Sequence, residues 1–183
     1  MSTKDPGLVL VVVGTDHHPF DRVVGWADEW AASHPDLRVL VQYGTSRPPT
    51  TAEGHDLLLV GDLTALMSEA TAVVCHGGPG TIMGAREAGH VPIVVPRRSD
   101  LGEHVDDHQV RFATRVAAAG QVHLATDQPT FSSLLERADA GEAGFRIDLA
   151  TEDPAAEAVA TFAASVDALL ARRGGTRRQR SGS

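Results

Sequence analysis

Apolar residues in this chain come as short continuous runs, separated by stretches in which they recur every three or four positions. Leu8 to Val13 is an unbroken apolar run of the kind a strand buried on both faces requires. Asp21 to Ser33 then places Val23, Val24, Ala27, Trp30 and Ala31 on one side of a helix. Leu37 to Gln42 predicts a second strand, and the turn-rich stretch from Gly44 to Gly54, with Pro48 and Pro49, predicts a loop. A third strand is expected over Asp56 to Val60, a short helix over Leu63 to Ser68, and a strand over Ala72 to Cys75. A helix starting near Gly80 and a strand over Val91 to Val95 follow. Val105 to Ala119 carries Val105, Gln109, Phe112 and Val116 at helical spacing and is closed by Gly120, with His123 in a last short strand. Asp153 and Pro154 open a final helix with the stripe Val159, Phe162, Val166, Leu169 and Leu170.

Strands alternating with helices predict an α/β fold, a Rossmann-like parallel sheet covered by helices on both faces. Residues 1–150 are expected to form this domain. Residues 151–172 are expected as a helix that packs on it or docks a partner, and residues 173–183 as a basic, disordered tail.

Length and charge narrow the picture. At 183 residues the chain has room for about one domain. The apolar start, Leu8 to Val13, is far shorter than the roughly 20 residues a membrane helix needs, and it lacks the layout of a signal peptide. These features predict a soluble, cytoplasmic protein. The single Cys75 excludes an internal disulfide and suits a small buried residue at a strand end. The net charge is −8, and it falls to −13 for the rest of the chain once Arg172, Arg173, Arg177, Arg178 and Arg180 are set aside. Such a body repels a phosphate backbone, so nucleic acid is not expected as a partner. The arginine tail either solubilises the end of the chain or meets an anionic bilayer, where each arginine contributes about 1 kcal/mol.

The stretch from Cys75 to Gln109, CHGGPGTIMGAREAGHVPIVVPRRSDLGEHVDDHQ, carries the candidate chemistry. A strand runs into a turn with Gly77, Gly78 and Gly80, and a helix starts there. Glycine admits close backbone approach, and the first amides of a helix are unpaired and lie at the positive end of its dipole. Together these features make a seat for a diphosphate. GGPGT is followed by Ile82 rather than by the lysine of a nucleotide-triphosphatase loop, and the dinucleotide fingerprint is also missing. A polar loop with Glu103, His104, Asp106, Asp107, His108 and Gln109 follows the next strand and offers groups that bind sugar hydroxyls.

With VVVGTDHHPFDRVV at Val11 to Val24 and VQYGTS at Val41 to Ser46, this passage resembles the donor-binding, C-terminal domain of family 28 glycosyltransferases. It is most similar to short single-domain members like the cytosolic subunit of the two-chain UDP-N-acetylglucosamine transferase and its bacterial exopolysaccharide relatives. The resemblance spans roughly Leu8 to Leu124. It implies the C-terminal lobe of a two-lobed, GT-B glycosyltransferase. In that lobe His76, Gly77, Gly78, Gly80 and Thr81, with Gly14 and Thr15 across the crevice, would hold the diphosphate of a UDP-sugar donor. Val60 and Gly61 would meet uracil. Arg97, Glu103, His104, Asp106, Asp107, His108 and Gln109 would meet the sugar or brace its site. The family glutamate that binds ribose falls at Gly84, leaving Glu87, one turn on, as the nearest carboxylate.

The implied function is inverting transfer from a UDP-sugar to a lipid-linked glycan, with no metal and no further cofactor, in concert with a membrane-anchored acceptor-binding subunit. The catalytic base is expected on that partner, with His17 and His18 as candidates within this chain. Two other readings stand beside it. One is a non-catalytic nucleotide-sugar-binding regulator, motivated by Gly84. The other is a metal-dependent hydrolase using His104 and His108, whose four-residue spacing would place both on one helical face. On the first reading, valine at Gly78 should block only the phosphate, and loss of the Gln109 side chain should weaken UDP-sugar binding while sparing UDP.

Overall fold

The computed structural model describes residues 7–151 and 153. Its centre is a six-stranded sheet: β1 (Leu8–Val12), β2 (Arg38–Gln42), β3 (Glu53–His55), β4 (Ala72–His76), β5 (Ile93–Val95) and β6 (His123–Leu124). Every pairing is parallel and the spatial order is β3-β2-β1-β4-β5-β6, so the expected Rossmann-like sheet is present. The helices are α1 (Asp21–Ser33), α2 (Val60–Glu69), α3 (Pro79–Glu87), α4 (His108–Ala118) and α5 (Gln128–Asp139).

The apolar strand runs divide between two cores because side chains alternate across a strand. Val9, Val11, Val39, Val41, Val74 and Val95 point to the face covered by α1 and α5, where they meet Val23, Trp30, Phe131 and Leu135. Leu8, Leu10, Val12, Leu40 and Val73 point to the other face, against Met67 of α2 and Ala85 of α3. Cys75 and Val94 continue that face under Ile82, Ala113 and Val116. Central strands thus need apolar residues on both sides, which is why their sequences show no alternation.

The third strand departs from expectation. β3 is the polar, exposed stretch Glu53–His55, and the apolar run Leu57 to Leu59 is not a strand but the approach to α2. An edge strand joins through its backbone alone, here through Tyr43 N–H to the His55 carbonyl at 2.9 Å, so it needs no apolar side chains. No helix links β2 to β3. Instead the loop is tied to α1 by Asp28, whose carboxylate accepts from the amides of Thr50, Thr51 and Ala52 and from the Thr50 hydroxyl. Burial raises the carboxyl's pKa, but these four donors outweigh it and hold the value at about 2.

α4 begins at His108, not Val105, which is exposed in the preceding loop, and Gly120 closes it with φ +73°. α5 has no counterpart in the sequence reading. Asp127 caps it by accepting from the Thr130 amide at 2.9 Å, and Phe131, Leu134, Leu135 and Ala138 are its buried face. The helix expected after Asp153, with the arginine tail, lies outside the described residues. No helix among those described is long and apolar enough to cross a membrane.

His90 locks α2 to the strand-like pairing of His90 with Arg146. Its Nε2 donates to the Met67 carbonyl at 2.7 Å, and the Arg146 guanidinium lies against the same ring, 2.9 Å from Nε2 and 3.2 Å from Nδ1. Burial first, then Arg146, lowers its pKa to about 4. A histidine whose folded pKa lies below the unfolded 6.5 takes up its proton more readily when unfolded. Stability therefore falls as pH drops from 6.5 toward 4, by up to about 1.4 kcal/mol per pH unit for one proton. Urea unfolding of wild type and His90→Gln at pH 7 and pH 5 is expected to show a smaller loss in the variant. Identical losses would remove His90 from this pH response.

Candidate functional site

β1 and β4 are neighbours, but the chain leaves β1 for α1 on one face and β4 for α3 on the opposite face. Strand order reverses here, and the diverging chains open a crevice beyond the carboxyl ends of these strands, the usual ligand position in such sheets. Gly14 and Thr15 form one wall, and His76 to Thr81 the other.

The His76 imidazole lies between these walls. A Cβ at Gly14, whose φ is +82°, would come within 2.5 Å of its Nε2, and one at Gly78 within 2.2 Å of its Cε1. A Cβ at Gly77 would press on Gln109 at 2.8 Å. These three glycines are thus required by the protein's own packing. Gly80 differs, since a Cβ there meets nothing within 4 Å. Gly78 caps α3 without a side chain, which leaves the Gly80 and Thr81 amides in an uncapped first turn.

Burial first, then the Arg97 guanidinium, depress the His76 pKa to about 4, so the ring is neutral at pH 7. Its Nε2 lies 3.2 Å from the Thr81 hydroxyl, and its buried Nδ1 has no hydrogen-bond partner. The start of α3 therefore offers N–H dipoles beside a neutral imidazole.

Gln109, expected at the sugar, reaches the glycine turn instead. Its Oε1 accepts from Gly77 N–H at 3.1 Å and from Arg97 N–H at 3.3 Å, bridging the loops after β4 and β5. A loss confined to the sugar is therefore no longer expected for Gln109→Ala, because the turn itself loses a brace. Arg97 is 1% exposed, and its guanidinium donates to the carbonyls of His18 at 2.6 Å, Val13 at 2.8 Å and Glu103 at 3.1 Å while lying over the Phe20 ring. Glu103 is buried in a fork with Arg22, two bonds of 2.8 Å, and also accepts from the Arg98 amide. Both residues brace the site from inside the protein. Arg22, which the sequence reading passed over, completes that brace.

Asp107 accepts from the Ser99 amide and hydroxyl, and Asp106 from the His108 amide. His104 and His108 do not share a helical face, because His104 precedes α4. They meet Asp106 instead, at 3.5 Å and 2.6 Å. His104 also approaches Asp16, as do His17 and His18, so the loops after β1 and β5 converge in a histidine-rich rim. Asp16 is held at about 2: desolvation raises its pKa, but the His18 amide and ring, with Arg97, lower it further.

Val60 and Gly61 lie exposed in the first turn of α2. A separate groove of about 460 Å³ between β2, β3 and α2, lined by Arg38, Leu40, Leu58 and Leu66, includes none of the glycine-turn residues. Gly84 faces Met67, whose Sδ would be 3.6 Å from an added Cβ. Glu87 is exposed at the far end of α3, about 12 Å along the helix from Pro79 at 1.5 Å per residue, and is poorly placed to serve its start.

The glycosyltransferase family 28 C-terminal domain model matches residues 8–137. No curated protein matches the sequence. Among solved structures, the fold is similar to CalG4, the calicheamicin glycosyltransferase, at 18% identity and TM-score 0.57, covering 100% of this chain and 44% of that one. The glycotransferase of kitacinnamycin is similar at 18% identity and TM-score 0.56, over 75% of this chain and 36% of that one. UDP-GlcNAc 2-epimerase from Neisseria meningitidis, bound to UDP-GlcNAc, is similar at 10% identity and TM-score 0.52, over 75% and 37%. The chain thus spans well under half the length of these proteins, and the likeness is one of fold.

Glycines 78 and 80 separate packing from ligand approach. Gly78→Val is expected to lower Tm, because it displaces His76, contrary to the sequence-based expectation of an intact fold. Gly80→Ala is expected to keep or raise Tm, since alanine is favoured over glycine in a helix by up to about 1 kcal/mol, while weakening nucleotide binding. Calorimetric melting and titration of both variants checks this, and unchanged nucleotide affinity in Gly80→Ala would remove the α3 start from the site.

Proposed function

Because the chain belongs to the glycosyltransferase family 28 C-terminal domain family, we propose that it is the donor-binding half of an inverting glycosyltransferase that uses a UDP-sugar. The observation that carries this reading is the uncapped first turn of α3, open at Gly80 and aimed at the strand-order reversal beside a neutral His76. As the sugar–diphosphate bond breaks, negative charge grows on the leaving nucleotide. Fixed amide donors and a helix dipole stabilise that charge more than the ground state, and a single such donor contributes about 3–4 kcal/mol in other enzymes. The Thr81 hydroxyl adds a donor beside them. The imidazole of His76, being uncharged, supplies a hydrogen bond and a wall without repelling Arg97.

The acceptor hydroxyl needs a base. In this reading it comes from an acceptor-binding half beyond the described residues, on a membrane-anchored partner that presents a lipid-linked glycan for polysaccharide assembly. The chain then works in the cytoplasm, at the inner face of the membrane through that partner. Val60 and Gly61 meet the base of the nucleotide, and the Asp106 to His108 segment borders the sugar.

A panel of UDP-, GDP- and dTDP-sugars tests the donor assignment. Ligand at about 100 times its Kd stabilises the fold by about 2.7 kcal/mol, or roughly 5–11 °C in Tm for a chain of this size. UDP-sugars are expected to give this shift, and a panel without any shift would overturn the proposal. Turnover that requires both the chain and its partner would distinguish an enzyme from a regulator that binds and does not react.

Gly84 favours the regulator as a second reading, because the family's ribose-binding carboxylate is absent there. An added Cβ there makes ordinary contact with Met67 Sδ at 3.6 Å, with no clash at that atom. Gly84→Glu is therefore expected to fold normally and to tighten UDP binding by about 1.5–3 kcal/mol, the range for a charged hydrogen bond. Isothermal titration with UDP gives the answer directly, and no gain in affinity would detach this position from the ribose.

A further inference from the structure

We propose that Asp16, His17, His18 and His104 form a site for a divalent transition-metal ion of the zinc class, clamping the β1–α1 loop to the β5–α4 loop at the rim of the crevice. One ligand atom from each of Asp16, His17 and His18 lies within 4.8 Å of the others. Asp16 presents Oδ1 to His18 Nδ1 at 2.6 Å and to His17 Nδ1 at 3.9 Å, and Oδ2 to His104 Nε2 at 3.7 Å. Three imidazoles therefore gather about the one Asp16 carboxylate, and His104 comes from a segment far along the chain. Imidazole with a single carboxylate suits zinc, cobalt or nickel, whereas magnesium and calcium prefer a set of oxygens.

Two further features favour a built site. His104 is held at its other nitrogen, Nδ1, by Asp106, whose carbonyl lies at 3.2 Å, amide at 3.3 Å and carboxylate at 3.5 Å, so the ring that faces Asp16 is fixed in orientation by its own loop. The loop bearing Asp16 to His18 is also fixed from behind. The Asp16 carbonyl accepts from the Thr45 hydroxyl, the His18 carbonyl from buried Arg97, and the Phe20 amide donates to Ser46 Oγ at 2.7 Å. The ligands are thus held on a braced backbone, while their side chains stay open to solvent: His17 is 82% exposed, His18 23% and His104 21%. The Arg97 guanidinium opposes a cation here, and the Asp16 and Asp106 carboxylates offset it.

Untagged, chelator-treated full-length protein titrated calorimetrically with ZnCl2 tests this directly. The expected result is about one ion per chain with a rise in Tm, no comparable response to MgCl2, and visible absorption from a low-coordinate Co2+ complex. Asp16→Asn, His18→Ala and His104→Ala should each weaken Zn2+ by about tenfold or more, while His55→Ala, on the distant β3 edge, should not. The double variant of exposed His17 and half-buried His104, His17→Ala/His104→Ala, guards against loss of fold in the other variants, with near-ultraviolet circular dichroism as the check. Absence of Zn2+ binding, wild-type affinity in folded variants of these residues, or equal binding of Mg2+ would each overturn the proposal.

Discussion

The buried guanidinium of Arg97 holds the mouth of the crevice in shape. From just beyond β5 it reaches the last carbonyl of the β1 run, the carbonyl of His18 and that of Glu103, so three separate chain segments share one cation. The three bonds leave from two separate nitrogens of the planar guanidinium, a spread that the single nitrogen of a lysine lacks. Removing the guanidinium would leave three acceptors unpaired, at about 1–3 kcal/mol for each one that stays buried. The neighbouring fork between half-buried Arg22 and buried Glu103 fixes the β5–α4 loop against α1. Everything exposed at the rim is thus mounted on a charged framework inside the protein.

The same framework sets the electrostatics of the seat. Burial, with Arg97, keeps His76 neutral, so the first turn of α3 presents amide dipoles and no cation from this ring. The ring also explains the glycines on both walls, because Gly14 and Gly78 give way to it. One imidazole therefore links packing to ligand access. Gln109 does the same from the other side, tying the turn to the loop that carries the polar residues.

Much of the fold was legible along the chain. The runs at Leu8, Arg38 and Ala72 announced buried strands because both sheet faces are covered, and α1 matched its periodicity from Asp21 to Ser33. β3 was misplaced because an edge strand is defined by backbone pairing, which leaves no apolar signature, while the apolar run after it leads into α2 with Leu57 and Leu59 exposed. α5 did carry a signal in the Asp127 cap, Pro129 and the spacing of Phe131, Leu134, Leu135 and Ala138. At the rim, Asp16, His17 and His18 stand side by side in the sequence, but their meeting with His104 carried no signal, since it comes only after β1 and β5 take their places in the sheet.

By itself, then, the sequence determined the layered α/β architecture, the glycine turn opening a helix, and the inventory of polar side chains near it. These follow from local rules: periodicity, glycine geometry and helix ends. Only the tertiary structure decided which polar groups face the crevice and which are walled in. Arg97 and Glu103 look like ligands in a linear reading, yet they are buried as mutual supports, because the charge of each is satisfied by partners from other segments. A side chain's chemistry is local, whereas its partners are set by the long-range pairing of strands.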